Sequence, residues 1–352
     1  MNTIRLQNKR KRLIVIVMLL AILATAFLCL LVGSSNMSIR ECLLAFVGED
    51  SNVNVRIVRE IRIPRILAAI ISGAGLSIAG MIMQTNLNNA MASPSTLGVS
   101  NAAVFGANLS IIAFAEGYIT TGNTLSNYYF GVSPYATSML AFVFSVFSIL
   151  VVLGLCRLRD YSPGVIVLAG IAIGSVWTAA TTILQFYATD VGLSAAVIWN
   201  FGDLGRATYK TDAIMFVVVL AVLIFFMLMS SKYNAMLAGD AVAKSMGINV
   251  DRLRLISLLL ASVITAVCVS FLGIIGFVGI ICPHITKKLI GQDHKYAIPT
   301  SALVGSLLIL VADTLSRSIG NGAALPVGAV TSLLGAPFFL SIIFSKKEGS
   351  AC

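Results

Sequence analysis

The chain has 352 residues, of which 58% are hydrophobic and only 11% are charged, whereas a typical soluble domain carries about 25% charged residues. A soluble protein of this length could not bury so much apolar surface, so the composition predicts a membrane protein. The net charge of +10 is then a matter of membrane topology and not of nucleic-acid binding.

Ten apolar segments follow one another along the chain and are separated by short polar stretches. Most are continuous runs of about 20 residues, which favours membrane-spanning helices over the alternating strands of a barrel. We therefore predict an all-α, polytopic transmembrane fold of about ten helices, in a single transmembrane domain over 1–352. The predicted spans are 13–32, 66–83, 97–114, 135–155, 165–187, 212–229, 253–272, 274–290, 297–316 and 327–344.

The first twelve residues are basic and precede the first apolar segment. A cleaved signal peptide is one interpretation, but the apolar run is longer than a typical signal-peptide core, which favours a retained helix. A cytoplasmic N-terminus places most Lys and Arg residues on the cytoplasmic side, as the positive-inside rule expects. With ten spans, both termini are predicted to be cytoplasmic.

The second apolar run carries small residues at Ala68, Ser72, Gly75 and Ala79. Their spacing of three or four residues puts them on one helix face, and small side chains on one face let a second backbone approach closely. We therefore predict that this face packs against another helix.

Uncharged polar residues follow this run before apolar sequence resumes. Their amides and hydroxyls indicate either a wetted lining enclosed by protein or an ordinary polar turn. The candidate pathway residues of this segment are Gln84, Asn86, Asn89, Ser93, Pro94, Thr96, Gly98 and Ser100.

Four arginines lie just before the second span, at Arg56, Arg59, Arg62 and Arg65. The predicted topology puts them outside, where the positive-inside rule expects few. Either a partner uses these charges or they extend to lipid headgroups.

The loop between the sixth and seventh spans contains a short helical pattern within 239–250. Asp240 is the predicted N-cap and Gly247 the predicted C-terminal glycine. Such a helix could dock in a groove of a soluble partner or serve only as a connector.

A series of short motifs extends along most of the chain. They are Arg62-Ile63-Pro64-Arg65, Gly73-Ala74-Gly75 with Gly80, Gln84 with Ser93-Pro94, Leu97-Gly98-Val99-Ser100, the 239–247 loop, Phe277-Val278-Gly279 with Pro283-His284, Gly291-Gln292-Asp293-His294, Ala312-Asp313 with Arg317, Leu325-Pro326-Val327-Gly328 and Gly335-Ala336-Pro337. Together and in this order they resemble the membrane permease of the iron-siderophore and cobalamin class of ATP-binding-cassette importers.

The resemblance implies a permease that pairs with a second copy or a close relative. It further implies two cytoplasmic ATPase subunits and an extracytoplasmic substrate-binding protein, which docks through arginines at the outer mouth. By motif, Arg62, Arg65 and Arg317 take that role, with Arg59 one helical turn away. The 84–100 segment takes the role of pathway lining. The predicted ATPase-coupling residues are Gly239, Asp240, Ala243, Lys244, Met246 and Gly247.

The sequence contains no G-x-x-x-x-G-K-[ST] loop, so ATP hydrolysis is expected on a partner protein. We find no plausible catalytic triad, protein metal site or bound cofactor. The expected cargo is a ferric siderophore carried across a bacterial cytoplasmic membrane, with cobalamin and haem as alternatives. A more distant alternative is an ion-coupled secondary transporter using Asp313 and Arg317, unless Asp313 is only a structural carboxylate.

Overall fold

The structure is a computed structural model that describes residues 2–31, 53–114, 134–157, 161–319 and 325–345. These residues form thirteen helices and no strand, which confirms the all-α prediction. The helices are α1 (Asn2–Leu31), α2 (Val53–Asn86), α3 (Val99–Phe114), α4 (Pro134–Cys156), α5 (Pro163–Phe186), α6 (Asp190–Asn200), α7 (Tyr209–Leu228), α8 (Ser230–Met236), α9 (Asp240–Ser245), α10 (Val250–Leu272), α11 (Val278–Ile290), α12 (His294–Ile319) and α13 (Val327–Ser345).

Each of the ten predicted spans coincides with one of these helices. Within the described residues, α1, α2, α4, α5, α7, α10 and α12 are long and apolar enough to cross a membrane, and α3, α11 and α13 are shorter. Helix α11 has 13 residues, or about 20 Å at 1.5 Å per residue, against a hydrocarbon core of about 30 Å. The chain is therefore a multi-pass membrane protein that combines long and short apolar helices.

Helix α2 is the most enclosed of these helices, and it packs against α7, α10, α11 and α12. It begins at Val53, before the predicted span at 66–83. A π-helical turn over Val58–Arg62 ends two residues before Pro64, and an ordinary α-helical turn would not accommodate the missing N–H and the ring of proline. The apolar side chains of Val55 and Val58 are buried, which holds this early turn against the bundle.

The predicted small-residue face of α2 packs against two helices, because a Cβ added to Gly75 would meet side chains of Val219 on α7 and Ile264 on α10. A backbone contact with α12 lies on another face of α2. A Cβ added to Gly73 would lie under 3.0 Å from the backbone of Gly305, and a Cβ added to Gly305 would lie under 3.0 Å from the backbone of Gly73. The hydroxyls of Ser77 and Ser301 lie 2.7 Å apart at the same crossing. Helices α2 and α12 thus meet backbone to backbone, as small residues allow inside a membrane.

Replacing Gly73 with alanine should destabilise the protein by about 1–3 kcal/mol, because the new methyl group overpacks this crossing. Thermal unfolding in detergent, followed by size-exclusion chromatography, measures the effect. Gly154→Ala in α4 is the matched control, since no atom lies within 4 Å of the added Cβ. Equal stability of the two variants would contradict the tight crossing.

Candidate functional site

One end of α2 and α12 carries a buried cluster of charged residues around Asp313, whose side chain is 1% exposed. Arg65 Nε lies 2.8 Å from Asp313 Oδ1, and Arg317 Nε lies 3.0 Å from Asp313 Oδ2. Asp313 and Arg317 are four residues apart on α12, so they share one helix face. A single carboxylate therefore holds two guanidinium groups from two helices.

This cluster also binds the end of α1 and the segment before α7. Arg62 donates to the carbonyl of Leu30, and Arg317 donates to the carbonyl of Cys29 over 3.1 Å. Arg65 additionally lies 3.8 Å from a carboxylate oxygen of Asp203. We call Arg62, Arg65, Arg317 and Asp313 the arginine cluster. It holds α1, α2 and α12 together at one end of the bundle.

The four predicted docking arginines are not equivalent in the structure. Arg62 and Arg65 are buried, and the Arg317 side chain is 9% exposed, so these three make internal contacts. Arg59 is exposed on the same end, and its carbonyl accepts a hydrogen bond from the hydroxyl of Tyr209. Docking through any of the four remains a prediction, and Arg59 is the one with a surface position.

A second charged region lies around α9, where the predicted short helix forms over Asp240–Ser245. The predicted N-cap was wrong by one residue, because Gly239 takes that position with φ +105°. Gly247 ends the turn with φ +79°, as predicted. Lys244 and Met246 are exposed, and Ala243 is buried against the bundle. One face of the helix is therefore exposed, and the other packs against the bundle.

The Asp240 carboxylate does not cap the helix because it is bound by Arg254 near the start of α10. Arg254 Nη2 lies 2.9 and 2.7 Å from the two carboxylate oxygens. Arg254 Nε also donates to the carbonyl of Asn86 over 2.8 Å. Arg254 was not among the predicted site residues, although an arginine within a predicted span is a signal of function or of a buried ion pair.

The predicted pathway segment is largely enclosed by other helices. Among its residues, Gln84, Asn86, Ser93, Pro94, Gly98 and Ser100 are buried, and Asn89 and Thr96 are partly exposed. The Gln84 side chain accepts a hydrogen bond from Lys287 Nζ over 2.8 Å. The side chain of the neighbouring Thr85 lies 2.8 Å from His294 Nε2. These contacts link α2 to α11 and α12, and a role in lining the pathway remains a prediction.

A cavity of about 450 Å³ lies between α3, α4, α6, α7 and α10, with Arg206 on its wall. Arg206 donates to the carbonyls of Ile198 and Trp199 over 2.8 and 3.2 Å. Burial lowers the pKa of Arg206, partly offset by the charge of Asp203. This cavity could not be predicted from the sequence, because its walls come from five separate elements.

The FecCD transport family matches residues 19–345 of the chain. The chain belongs to the FecCD family. A permease protein of an ABC transporter from Methanocaldococcus jannaschii is 43% identical over 98% of this chain and 97% of its own length. The hemin transport system permease protein HmuU of Yersinia pestis is 32% identical over 94% of this chain and 96% of its own. Other relatives are named for ferric citrate, ferric hydroxamate and cobalamin import.

A solved structure described as an inward-facing metal-chelate type ABC transporter has a TM-score of 0.80 to this chain. It is 25% identical and covers 95% of this chain and 99% of that one. These findings confirm the resemblance drawn from the motifs. The chain is a permease of the ABC importer class, whose permease subunits are not themselves enzymes.

Replacing Asp313 with asparagine should destabilise the protein by about 3–5 kcal/mol, because two largely buried guanidinium groups lose their carboxylate. The measurement is thermal unfolding of the purified protein in detergent. Lys244→Ala is the control. It breaks a solvent-exposed ion pair with Asp251, 3.2 Å long, which should be worth less than about 1 kcal/mol. If both variants unfold together, Asp313 does not hold the arginine cluster.

Proposed function

We propose that this permease imports a ferric siderophore across the cytoplasmic membrane and uses ATP hydrolysed by separate subunits. The observation that carries the proposal is the match to the FecCD family over residues 19–345. Relatives named for ferric citrate and ferric hydroxamate support an iron chelate as the cargo. Because the chelator wraps the iron, the permease would need no metal ligands of its own.

The proposed assembly contains a second permease, identical or related, and two ATP-binding subunits. The outward face of α9, which includes Lys244 and Met246, is the proposed contact with an ATPase subunit. Its support is geometric, since the exposed face belongs to a helix whose buried face is fixed to the bundle. An amphipathic helix of this kind suits a groove on a soluble partner.

An extracytoplasmic binding protein would deliver the chelate to the opposite end of the bundle. Arg59 is the proposed contact, because an exposed guanidinium can pair with a carboxylate of the partner. The buried arginines would not contact the binding protein but would hold the helices that carry the Arg59 surface; they are Arg62, Arg65 and Arg317. The proposed location is the cytoplasmic membrane of a bacterium or, given the relative from Methanocaldococcus jannaschii, of an archaeon, with both termini cytoplasmic.

Haem and cobalamin are the alternative cargoes within the same family. The hemin permease of Yersinia pestis is 32% identical to this chain, and another relative is named for cobalamin. An ion-coupled secondary transporter has less support. Asp313, the carboxylate on which that alternative depends, is already paired with Arg65 and Arg317 and joins two helices, which favours a structural role.

Uptake by a deletion strain tests the cargo. Radiolabelled iron is offered as ferric citrate, as a ferric hydroxamate or as haem, with labelled cobalamin in parallel. We expect loss of uptake of one ferric siderophore and its restoration by the intact gene. Loss of uptake restricted to haem or cobalamin would identify that compound, and not a ferric siderophore, as the cargo. Uptake that persists at low ATP and stops with a protonophore would contradict the ATP-driven proposal.

Charge reversal at Arg59 tests docking separately. Arg59→Glu should weaken binding of the purified binding protein about tenfold, or about 1.4 kcal/mol, without loss of folded permease. Lys210→Glu is the matched control, because Lys210 is an exposed cation beside Tyr209, whose hydroxyl contacts the Arg59 carbonyl. Equal weakening by both variants would indicate a general effect of charge and remove Arg59 from the docking site.

A further inference from the structure

Arg254 connects three parts of the chain that no short sequence motif joins. Its side chain is 3% exposed, although it belongs to the first turns of α10. Nη2 binds both oxygens of Asp240 on α9, Nε donates to the carbonyl of Asn86 at the end of α2, and Nη1 donates to the carbonyl of Tyr161 over 3.4 Å. Tyr161 lies two residues before α5 begins.

These acceptors explain why the residue is an arginine. The Asn86 carbonyl belongs to the last turn of α2, where carbonyls have no partner within the helix and favour a cation. A planar guanidinium can serve three acceptors in three directions at once, whereas a lysine ammonium presents one compact charge. Because the guanidinium is buried, each lost contact leaves a polar atom that neither the protein nor water can hydrogen-bond.

We propose that Arg254 is the positioning residue through which displacement of α9 reaches the ends of α2 and α5. This inference rests on the proposed function, in which an ATPase subunit moves α9. A helix of six residues has little rigidity of its own, so its motion reaches the bundle only through its fixed contacts. Among the described residues, two ion pairs join α9 to α10: the Asp240–Arg254 pair and the exposed Lys244–Asp251 pair. Asp251 also lies 4.0 Å from Arg254 Nη1, so both pairs lead to Arg254, which donates to the carbonyls of Asn86 and Tyr161.

The relative motion of α9 and α2 tests the inference. Spin labels are placed at Ser245→Cys, at the end of α9, and at Ala90→Cys, just beyond α2, with Cys42 and Cys352 replaced by serine. Both label positions are exposed, and the cysteines that the structure describes are buried. The permease is purified together with its ATPase subunits, and the distance between the labels is measured without nucleotide and with ATP, Mg²⁺ and vanadate.

In the otherwise unaltered chain, the distance should stay the same in both states, because α9 and the end of α2 move together. In Arg254→Gln the same distance should change by about 2 Å or more on nucleotide trapping, while basal ATP hydrolysis stays within about twofold. Arg254→Lys should show the same change, since it keeps the charge but not the three-way contact. Arg252→Gln is the matched control, because Arg252 is exposed on the same turn of α10 and should leave the distance constant.

Where Arg254→Gln does not assemble, Asp240→Asn replaces it. That variant releases α9 alone and keeps the contacts of Arg254 with Asn86 and Tyr161, so the label distance should again depend on nucleotide. A distance that changes in the unaltered chain, or that stays constant in every Arg254 and Asp240 variant, would overturn the inference. A complex that contains no ATPase subunit or hydrolyses no ATP would instead contradict the proposed function.

Discussion

The structure depends on the close packing of α2 against its neighbours. Lipid removes most of the hydrophobic drive between helices, so their association relies on van der Waals contact and on polar contacts between them. Gly73 and Gly305 let α2 and α12 touch backbone to backbone, and a Cβ added to Gly80 would meet the backbone of Gly279 in the first turn of α11. Helix α2 is thereby fixed along its length, and it carries the arginine cluster at one end and Asn86 at the other.

Arginine has a structural role at both ends of this helix. Asp313 binds Arg65 and Arg317 at one end, and Arg254 binds Asp240 and the Asn86 carbonyl at the other. Burying an ion pair costs desolvation free energy, so such pairs add little stability over an apolar contact of equal volume. Their geometric demands are strict, however, and they fix which helix ends lie together. The charged groups fix the positions of the helix ends, and the glycines set the distance between α2 and its neighbours along the middle of the helix.

Much of the fold could be predicted because span length and hydrophobicity are local properties of the sequence. All ten predicted segments are helices, and the family followed from motifs in their order. The features that could not be predicted are contacts between distant residues. Which face of α2 meets α12 depends on the position of Gly305, and the capping of α9 depends on Arg254, which takes the Asp240 carboxylate. The burial of Arg62 and Arg65 depends on α1 and α12, so four arginines close in sequence looked equivalent although only Arg56 and Arg59 are exposed.

The same packing limits how the bundle can move. Helix α2 has little freedom to bend, since Gly73 and Gly80 leave no space between it and α12 or the start of α11. Helix α5 is different, because few of its side chains are buried within this chain and it packs chiefly on α3 and α4. A displacement at α9 therefore has two outcomes at Arg254: α2 moves as a whole together with α11 and α12, and α5 changes its angle at Tyr161. Both outcomes alter the arrangement of helices across the membrane, and neither requires the tight α2–α12 crossing to open.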